Sequence, residues 1–162
     1  MPNYSRKELL KTTSTMNQLR NMLYHLIKYL GNAGKQSQYI KKSLRKMGQN
    51  IGKTEASLFN FDNQHPDQLI KTMYDEILGS KVTVSKIIDS EVYTIENKKC
   101  CVCKYPRKDI TVAPCEIIHS MISELLKSYG YKVEESIVEE SIALGSLSCV
   151  HSYKFKNFRD GD

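Results

Sequence analysis

The sequence has little of what marks membrane-spanning, secreted or repetitive proteins. It contains no tryptophan. It has only four prolines and eight glycines among 162 residues, and this scarcity excludes collagen-like and Gly/Pro-rich compositions. No apolar run approaches the roughly 20 residues that a membrane-spanning helix requires, and residues 1–11 lack the apolar core of a secretory signal. We therefore expect a cytoplasmic protein with no membrane span. Apolar and charged fractions of 40% and 26% are typical of one globular domain, here residues 1–162.

Acidic residues are almost absent from the first third of the chain. Residues 1–53 hold eleven Lys or Arg against the single acid Glu8, a balance of +10, whereas residues 54–162 hold thirteen against seventeen, a balance of −4. A basic region of this kind can attract nucleic acid, anionic lipid or an acidic partner. No nucleic-acid motif accompanies the lysines, so we interpret them as solvated helix faces and do not expect nucleic-acid binding.

Helical spacing of apolar residues predicts three helices before residue 80, the first two forming a basic helical part over residues 1–60. Ser5-Arg6-Lys7-Glu8 has the form of a capping box and predicts the start of a short helix or helical arm. The amphipathic helix that follows it is expected to end at Gly31. Its expected apolar face is Leu19, Met22, Leu23, Leu26, Ile27 and Leu30. The second helix follows Gly34, with Ile40, Leu44, Met47, Ile51 and Leu58 on its buried side. The third begins at Pro66 and ends at Gly79.

Two glycines lie inside the second predicted helix. Each mid-helix glycine costs roughly 1 kcal/mol relative to alanine. Gly48 and Gly52 are four residues apart and therefore share a face, which indicates that another backbone or a ligand approaches closely there. The alternative is two tolerated glycines near a fraying helix end.

A change of period after Lys81 predicts a sheet and one more helix over residues 80–156. Residues 87–95 and 99–105 are rich in β-branched and aromatic side chains and predict an antiparallel hairpin. Pro114 is expected to start a helix that ends at Gly130, with Ile118, Met121, Ile122 and Leu125 on its apolar side. Residues 131–142 and 148–155 predict two further strands around Gly145. The fold class is therefore α/β (α+β), with helices packed on an antiparallel sheet.

All five cysteines lie within fifty residues, and histidines accompany two of them. They are Cys100, Cys101, Cys103, Cys115 with His119 one helical turn on, and Cys149 with His151. Thiolates and imidazoles are the ligands that zinc prefers, and a structural zinc takes four. The spacing is not that of a standard zinc finger. Two alternatives stay open, because free cysteines also pack as small apolar side chains and can serve redox chemistry.

The predicted elements decide which cysteines could converge. Alternate residues of a strand share a face, so Cys101 and Cys103 point the same way and Cys100 the other. Cys115 falls in the first turn of its helix, where the dipole favours the thiolate. Cys149 shares a strand face with His151, Tyr153 and Phe155. The predicted metal ligands are Cys101, Cys103, Cys115 and Cys149; His119 is either a ligand-binding residue or a histidine on the helix surface.

Two short motifs resemble known families. Met47-Gly48-Gln49-Asn50-Ile51-Gly52 resembles the Met-Gly-x-Asn-Ile-Gly run of the bet-type TRAPP vesicle-tethering subunits. Cys115 to Leu126, with Gly145 to Cys149, is similar to the 4-vinyl reductase domain, a ligand-binding domain of the same superfamily. Together the two resemblances span about residues 16–156.

The resemblance implies a dimerising α/β domain that encloses a pocket for a small hydrophobic molecule. In sensors of this kind zinc is held by a helix-start cysteine, a glutamate and a cysteine on the next strand, and a cysteine on the last strand. Cys115 matches the first of these and Cys149 the last, whereas Ser141 replaces the strand cysteine and the glutamate position falls near Val138 and Glu139. The extra cysteines at 100–103 could then complete the site.

Three functions follow from these observations. The first is a non-enzymatic homodimeric domain that binds a small hydrophobic or aromatic ligand and carries a cysteine-based zinc site. The second is a subunit of a TRAPP-like protein assembly. The third is a reductase-related enzyme of tetrapyrrole metabolism; it is the weakest, because the sequence shows no nucleotide-binding loop and no nucleophile motif.

Overall fold

Four helices and a four-stranded antiparallel sheet make up the described part of the chain, which confirms the predicted fold class. The computed structural model describes residues 6–59, 61, 65–88 and 90–156, so Ser5 of the capping box lies outside it. The helices are α1 (Arg6–Asn32), α2 (Ser37–Glu55), α3 (Pro66–Leu78) and α4 (Glu116–Ser128). The strands are β1 (Thr83–Lys86), β2 (Val92–Asn97), β3 (Val133–Glu140) and β4 (Cys149–Phe155). None of the described helices combines the length and the apolar character needed to cross a membrane.

The sheet has the order β1-β2-β4-β3, with β4 in its interior and β1 and β3 at its edges. Cys149, His151, Tyr153 and Phe155 of β4 are all buried, as their shared parity predicts. Antiparallel pairing of β2 with β4 sets Asn97 opposite Cys149 and Ile95 opposite His151. The end of β2 is therefore adjacent to the first residue of β4.

The predicted strand over residues 99–105 is wrong, because the hairpin forms one segment earlier, between β1 and β2. The side chain of Asn97 explains where β2 ends. Its Oδ1 accepts the backbone N–H of Lys99 at 3.0 Å and the Ser80 hydroxyl at 3.1 Å, and both contacts turn the chain out of the sheet. Residues 98–114 form an irregular loop instead.

Helix α2 packs on α4 through its two glycines. A Cβ at Gly48 would overlap the carbonyl oxygen of Ile117 and the Ser120 hydroxyl, and a Cβ at Gly52 would lie 2.6 Å from the Met121 carbonyl oxygen. The predicted close approach is thus made by the backbone of α4. Met47 and Ile51, predicted to be buried, are 42% and 40% exposed, because the glycine face turns towards α4 instead.

Helix α1 turns only part of its predicted face towards the core. Ile27 is buried as predicted, and Leu23 and Leu30 pack against the core. Leu19, Met22 and Leu26 are exposed instead, and Tyr24 is fully buried. The predictions for the other two helices are confirmed: α3 has Pro66 in its first turn and Gly79 in the left-handed conformation after its end. The predicted apolar side of α4 is buried throughout, at Ile118, Met121, Ile122 and Leu125.

Replacing Gly48 with alanine tests the contact between α2 and α4. We expect Gly48→Ala to lower the free energy of unfolding by about 2–3 kcal/mol, because the added methyl group must displace helix backbone rather than a side chain. Gly31→Ala in α1 is the matched control, since a Cβ there meets nothing within 4 Å, and it should raise stability by up to about 1 kcal/mol. Urea unfolding of both variants measures the difference; equal effects would contradict the close approach.

Candidate metal centre

Three of the five cysteines meet at one buried point, and a fourth lies beside them. The Sγ atoms of Cys100, Cys103 and Cys149 are within 4.8 Å of one another. Cys115 is outside that group of three, but its thiol interacts with all of them and is 3.7 Å from the Ser141 hydroxyl that also contacts Cys103 and Cys149. Cys115 and Cys149 are fully buried, and Cys100 and Cys103 are 4% and 1% exposed. We call these four residues the thiol cluster. They come from three elements, namely the loop after β2, the N-terminal end of α4 and the start of β4.

Backbone pairing and a short loop explain why these thiols meet. Asn97 is paired with Cys149, so the loop that carries Cys100 begins next to β4. Cys100 and Cys103 are three residues apart in this loop, so their side chains can point in the same direction, and their sulfurs are within 4.8 Å of one another. Cys115 is the N-cap of α4, and the packing of α4 on α2 and the sheet fixes its position.

Cys101 occupies a different place from the one that strand parity predicts. Its side chain is only partly buried, unlike those of the four cysteines in the thiol cluster. Cys100, the residue that parity sets apart, is in the thiol cluster instead. The reason is that residues 99–105 form a loop, in which the two-residue period of a strand does not apply. The Cys-x-x-Cys spacing of 100 and 103 was the sequence signal for this pair.

The loop is held against α1 by contacts to its backbone. The Arg20 guanidinium donates to the carbonyl oxygen of Cys101 from Nε at 3.0 Å and from Nη2 at 2.9 Å, and its Nη1 donates to Asn17 at 2.7 Å. Further along, Tyr24 stacks on Tyr105 with ring centroids 5.5 Å apart. These contacts keep Cys100 and Cys103 in place on the sheet end.

A serine hydroxyl lies among the thiols. Ser141 Oγ is 3.5 Å from Cys103 Sγ, 3.7 Å from Cys115 Sγ and 3.9 Å from Cys149 Sγ. The backbone N–H of Ile142 donates to Cys149 Sγ at 3.4 Å. Ser141 occupies the position at which the resemblance implies a ligand cysteine. Its hydroxyl hydrogen-bonds the sulfurs of the cluster but does not take the place of a thiol.

The thiols alter one another's protonation. Hydrogen bonding within the cluster, first of all with Cys100, raises the pKa of Cys103 and Cys115 far above the usual value, and burial adds to this. The same contacts, again led by Cys100, lower the pKa of Cys149, which also accepts the Ile142 N–H. The cluster thus favours one thiolate and resists further negative charge until a cation compensates it.

A buried carboxylate flanks the cluster on α4. The Glu116 side chain is 4% exposed and pairs with Arg45 Nε at 2.7 Å and Lys41 Nζ at 3.2 Å, both from α2. Arg45 Nη2 also donates to the Ser136 carbonyl oxygen of β3 at 3.1 Å. The carboxylate is therefore occupied by two cations and ties α2, α4 and β3 together next to Cys115.

His119 and His151 form a second buried layer beside the thiol cluster. His119 is fully buried, so its interpretation as a surface histidine is wrong, and it stacks on Tyr153 at 5.0 Å. His151 Nδ1 is 2.7 Å from the Tyr74 hydroxyl. Within the described residues, both ring nitrogens of His119 and Nε2 of His151 lack a hydrogen-bond partner. Burial lowers the pKa of both imidazoles, that of His151 to about 4, so both are neutral at pH 7.

The fold of this chain is similar to that of a known protein. No protein-family model and no curated protein matches the sequence. Among solved structures, it is similar to a trafficking protein particle complex subunit 3 from Naegleria fowleri, which is covalently bound to palmitic acid. The TM-score is 0.73 at 15% sequence identity, over 90% of this chain and 98% of that chain. The chain has a TRAPP-subunit-like fold; the narrower resemblance to the 4-vinyl reductase domain stays a prediction.

Proposed function

We propose that this protein is a non-enzymatic binding and assembly domain in which Cys100, Cys103, Cys115 and Cys149 hold a zinc ion. The thiol cluster is the observation that carries the proposal. Zinc at about 2.3 Å from each of four thiolates in a tetrahedron sets the sulfurs about 3.8 Å apart. Three of the sulfurs already lie within 4.8 Å of one another, which suits a single ion.

The surroundings of the cluster support a zinc role that is structural. The Ser141 hydroxyl and the Ile142 N–H hydrogen-bond the sulfurs and would stabilise a negatively charged metal–thiolate site. Four thiolates leave no open coordination position of the kind a catalytic zinc keeps. The ion would join the loop to α4 and β4. Cys100 takes the place that strand parity predicts for Cys101.

The surface of α1 supports assembly. Its exposed apolar side chains Met16, Leu19, Met22, Leu26 and Tyr29 are 39% to 69% exposed and recur every three or four residues, which aligns them along one side of the helix. We call this set the apolar stripe. It spans about 20 Å of helix. A second copy related by a two-fold axis would cover it with the same stripe, as in most symmetric dimers.

Binding of a small hydrophobic molecule is the second part of the proposal. The solved TRAPP subunit that shares this fold is bound to palmitic acid, which favours a hydrophobic ligand in this chain as well. We propose that the ligand is held without a covalent bond. Burial raises the pKa of Cys101 to about 12, and the other four thiols are buried and are the proposed zinc ligands, so none is a ready nucleophile at pH 7. His119 is the proposed ligand contact.

Metal analysis of cysteine variants tests the zinc site. Protein purified without added metal should carry about one zinc per chain by elemental mass spectrometry, because binding energy of this kind is also folding energy. Cys100→Ser and Cys149→Ser should each remove most of the zinc and lower the melting temperature, whereas Cys101→Ser should retain it. Loss of zinc in Cys101→Ser but not in Cys100→Ser would contradict the proposal and would show that Cys101 is the ligand, as strand parity predicts.

Charge insertion on α1 tests assembly. Sedimentation velocity should show a dimer for the unmodified protein and a monomer for the double variant Leu19→Glu/Met22→Glu, since a charge buried in an apolar contact is strongly unfavourable. The control is Ser14→Glu/His25→Glu, at exposed positions of the same helix that lie off the apolar stripe. A monomeric unmodified protein, or equal dissociation of both variants, would contradict pairing through the stripe.

Mass spectrometry tests ligand binding. An organic extract of the native protein should contain one apolar or aromatic compound in amounts comparable to the protein, and the denatured chain should have its unmodified mass. A covalent acyl adduct on the denatured chain would contradict the non-covalent mode. Extracts without any co-purified compound would leave assembly as the function.

A further inference from the structure

One side of the buried thiol cluster borders a cavity that is open to solvent. Cys100 and Cys103 line an open cavity of about 560 Å³ between α1 and the loop after β2. The other two cluster cysteines, Cys115 and Cys149, are fully buried on the opposite side. An ion held by the cluster would therefore be reached from the cavity, past Cys100 and Cys103. We call this space the basic cavity.

Cations surround the mouth of the basic cavity. Arg20, Lys98, Lys99 and Lys104 line it, and no carboxylate is found among its described lining residues. Glu96, which does not line the cavity, pairs with Lys98 from outside it, with its Oε1 3.9 Å from Lys98 Nζ. Several like charges around a concave surface raise the local concentration and the arrival rate of small anions.

Arg20 is fixed in this position rather than mobile. Its guanidinium bonds the Cys101 carbonyl oxygen twice and Asn17 once, so its charge is held at the cavity wall before any ligand arrives. The three lysines are exposed, so their long side chains can adapt to a ligand, although Lys98 also pairs with Glu96. A fixed cation next to adaptable ones suits a ligand with more than one negative group.

The size and chemistry of the cavity define the class of ligand. Small-molecule sites commonly measure about 300–1,000 Å³, and the basic cavity falls within this range. Two thiols of the candidate metal site stand at one wall and four cations stand around it. A small anionic chelate, with carboxylates or thiolates that bind both the cations and the metal, satisfies both features.

We propose that the basic cavity is the route by which metal enters and leaves the thiol cluster, and that it binds a small anionic chelate that carries the metal. The inference rests on the proposed zinc site. When metal leaves, Cys100 and Cys103 would release it at the cavity as the chelate's oxygen or sulfur atoms bind it in their place, and each freed thiolate would take a proton from solvent. Entry would be the reverse, and neither direction requires an oxidant or reductant.

Chelator competition on the zinc-loaded protein tests the inference. The rate of zinc loss is measured with EDTA, which is a polyanion at neutral pH, and with the uncharged chelator tetrakis(pyridylmethyl)ethylenediamine. In the triple variant Lys98→Gln/Lys99→Gln/Lys104→Gln we expect loss to EDTA to slow by about tenfold at low salt, and loss to the uncharged chelator to be unchanged. High salt should remove most of the difference, because it screens exposed charges.

The matched control changes the total charge by the same amount elsewhere. Lys42→Gln/Lys46→Gln/Lys132→Gln alters three exposed lysines that do not line the basic cavity, and its rate with EDTA should stay within about twofold of the unmodified protein. Equal slowing in both triple variants, or equal slowing with both chelators, would overturn the inference alone. A protein that takes up no zinc at all would overturn the zinc site together with it.

Discussion

The close packing of α2 against α4 is the contact on which the rest of the structure depends. At Gly48 and Gly52 the two helices approach so closely that a single methyl group would meet carbonyl oxygens of α4. This approach sets the position of α4, and α4 begins beside Cys115 and carries Glu116 and His119 in its first turn. The thiol cluster, the buried carboxylate and the histidine layer all depend on where that helix begins. The pair of Glu116 with Arg45 and Lys41 adds an electrostatic tie to the same interface.

The regular elements are more predictable from the sequence than the loop that completes the site. The positions of the helices, the close approach at the glycine pair and the buried parity of β4 follow from local periodicity. The buried faces of α1 and α2 follow it only in part, because the glycine face of α2 turns towards α4. The segment from Lys99 to Tyr105 has the composition of a strand, but the side chain of Asn97 ends β2 and contacts to α1 hold the loop. These are interactions between residues distant in sequence, and no local pattern reports them. For this reason strand parity chose Cys101, whereas the structure brings Cys100 to the cluster.

The interior next to the sheet contains many polar groups. The imidazoles of His119 and His151 and the rings of Tyr74 and Tyr153 contact one another between α3, α4 and β4. The thiol cluster lies beside them, at the start of β4. Groups of this kind cost free energy when buried without partners, and three ring nitrogens here lack one among the described residues. The core therefore combines an apolar part that stabilises the fold with a polar part whose composition suits binding. His119 stands between the two, packed on Tyr153 and adjacent to His151.

The edge strand β3 determines how copies of this molecule can meet. Four of its eight residues are glutamates, and all four are exposed at the border of the sheet. An unpaired edge strand can form hydrogen bonds with a strand of another molecule. The glutamates oppose this pairing, because two copies paired through β3 would bring their carboxylates close together. The opposite edge, β1, has only four residues. Addition of further strands, and so growth into fibrils, is therefore disfavoured at both edges of the sheet. Copies of this molecule are expected to associate through their helices instead.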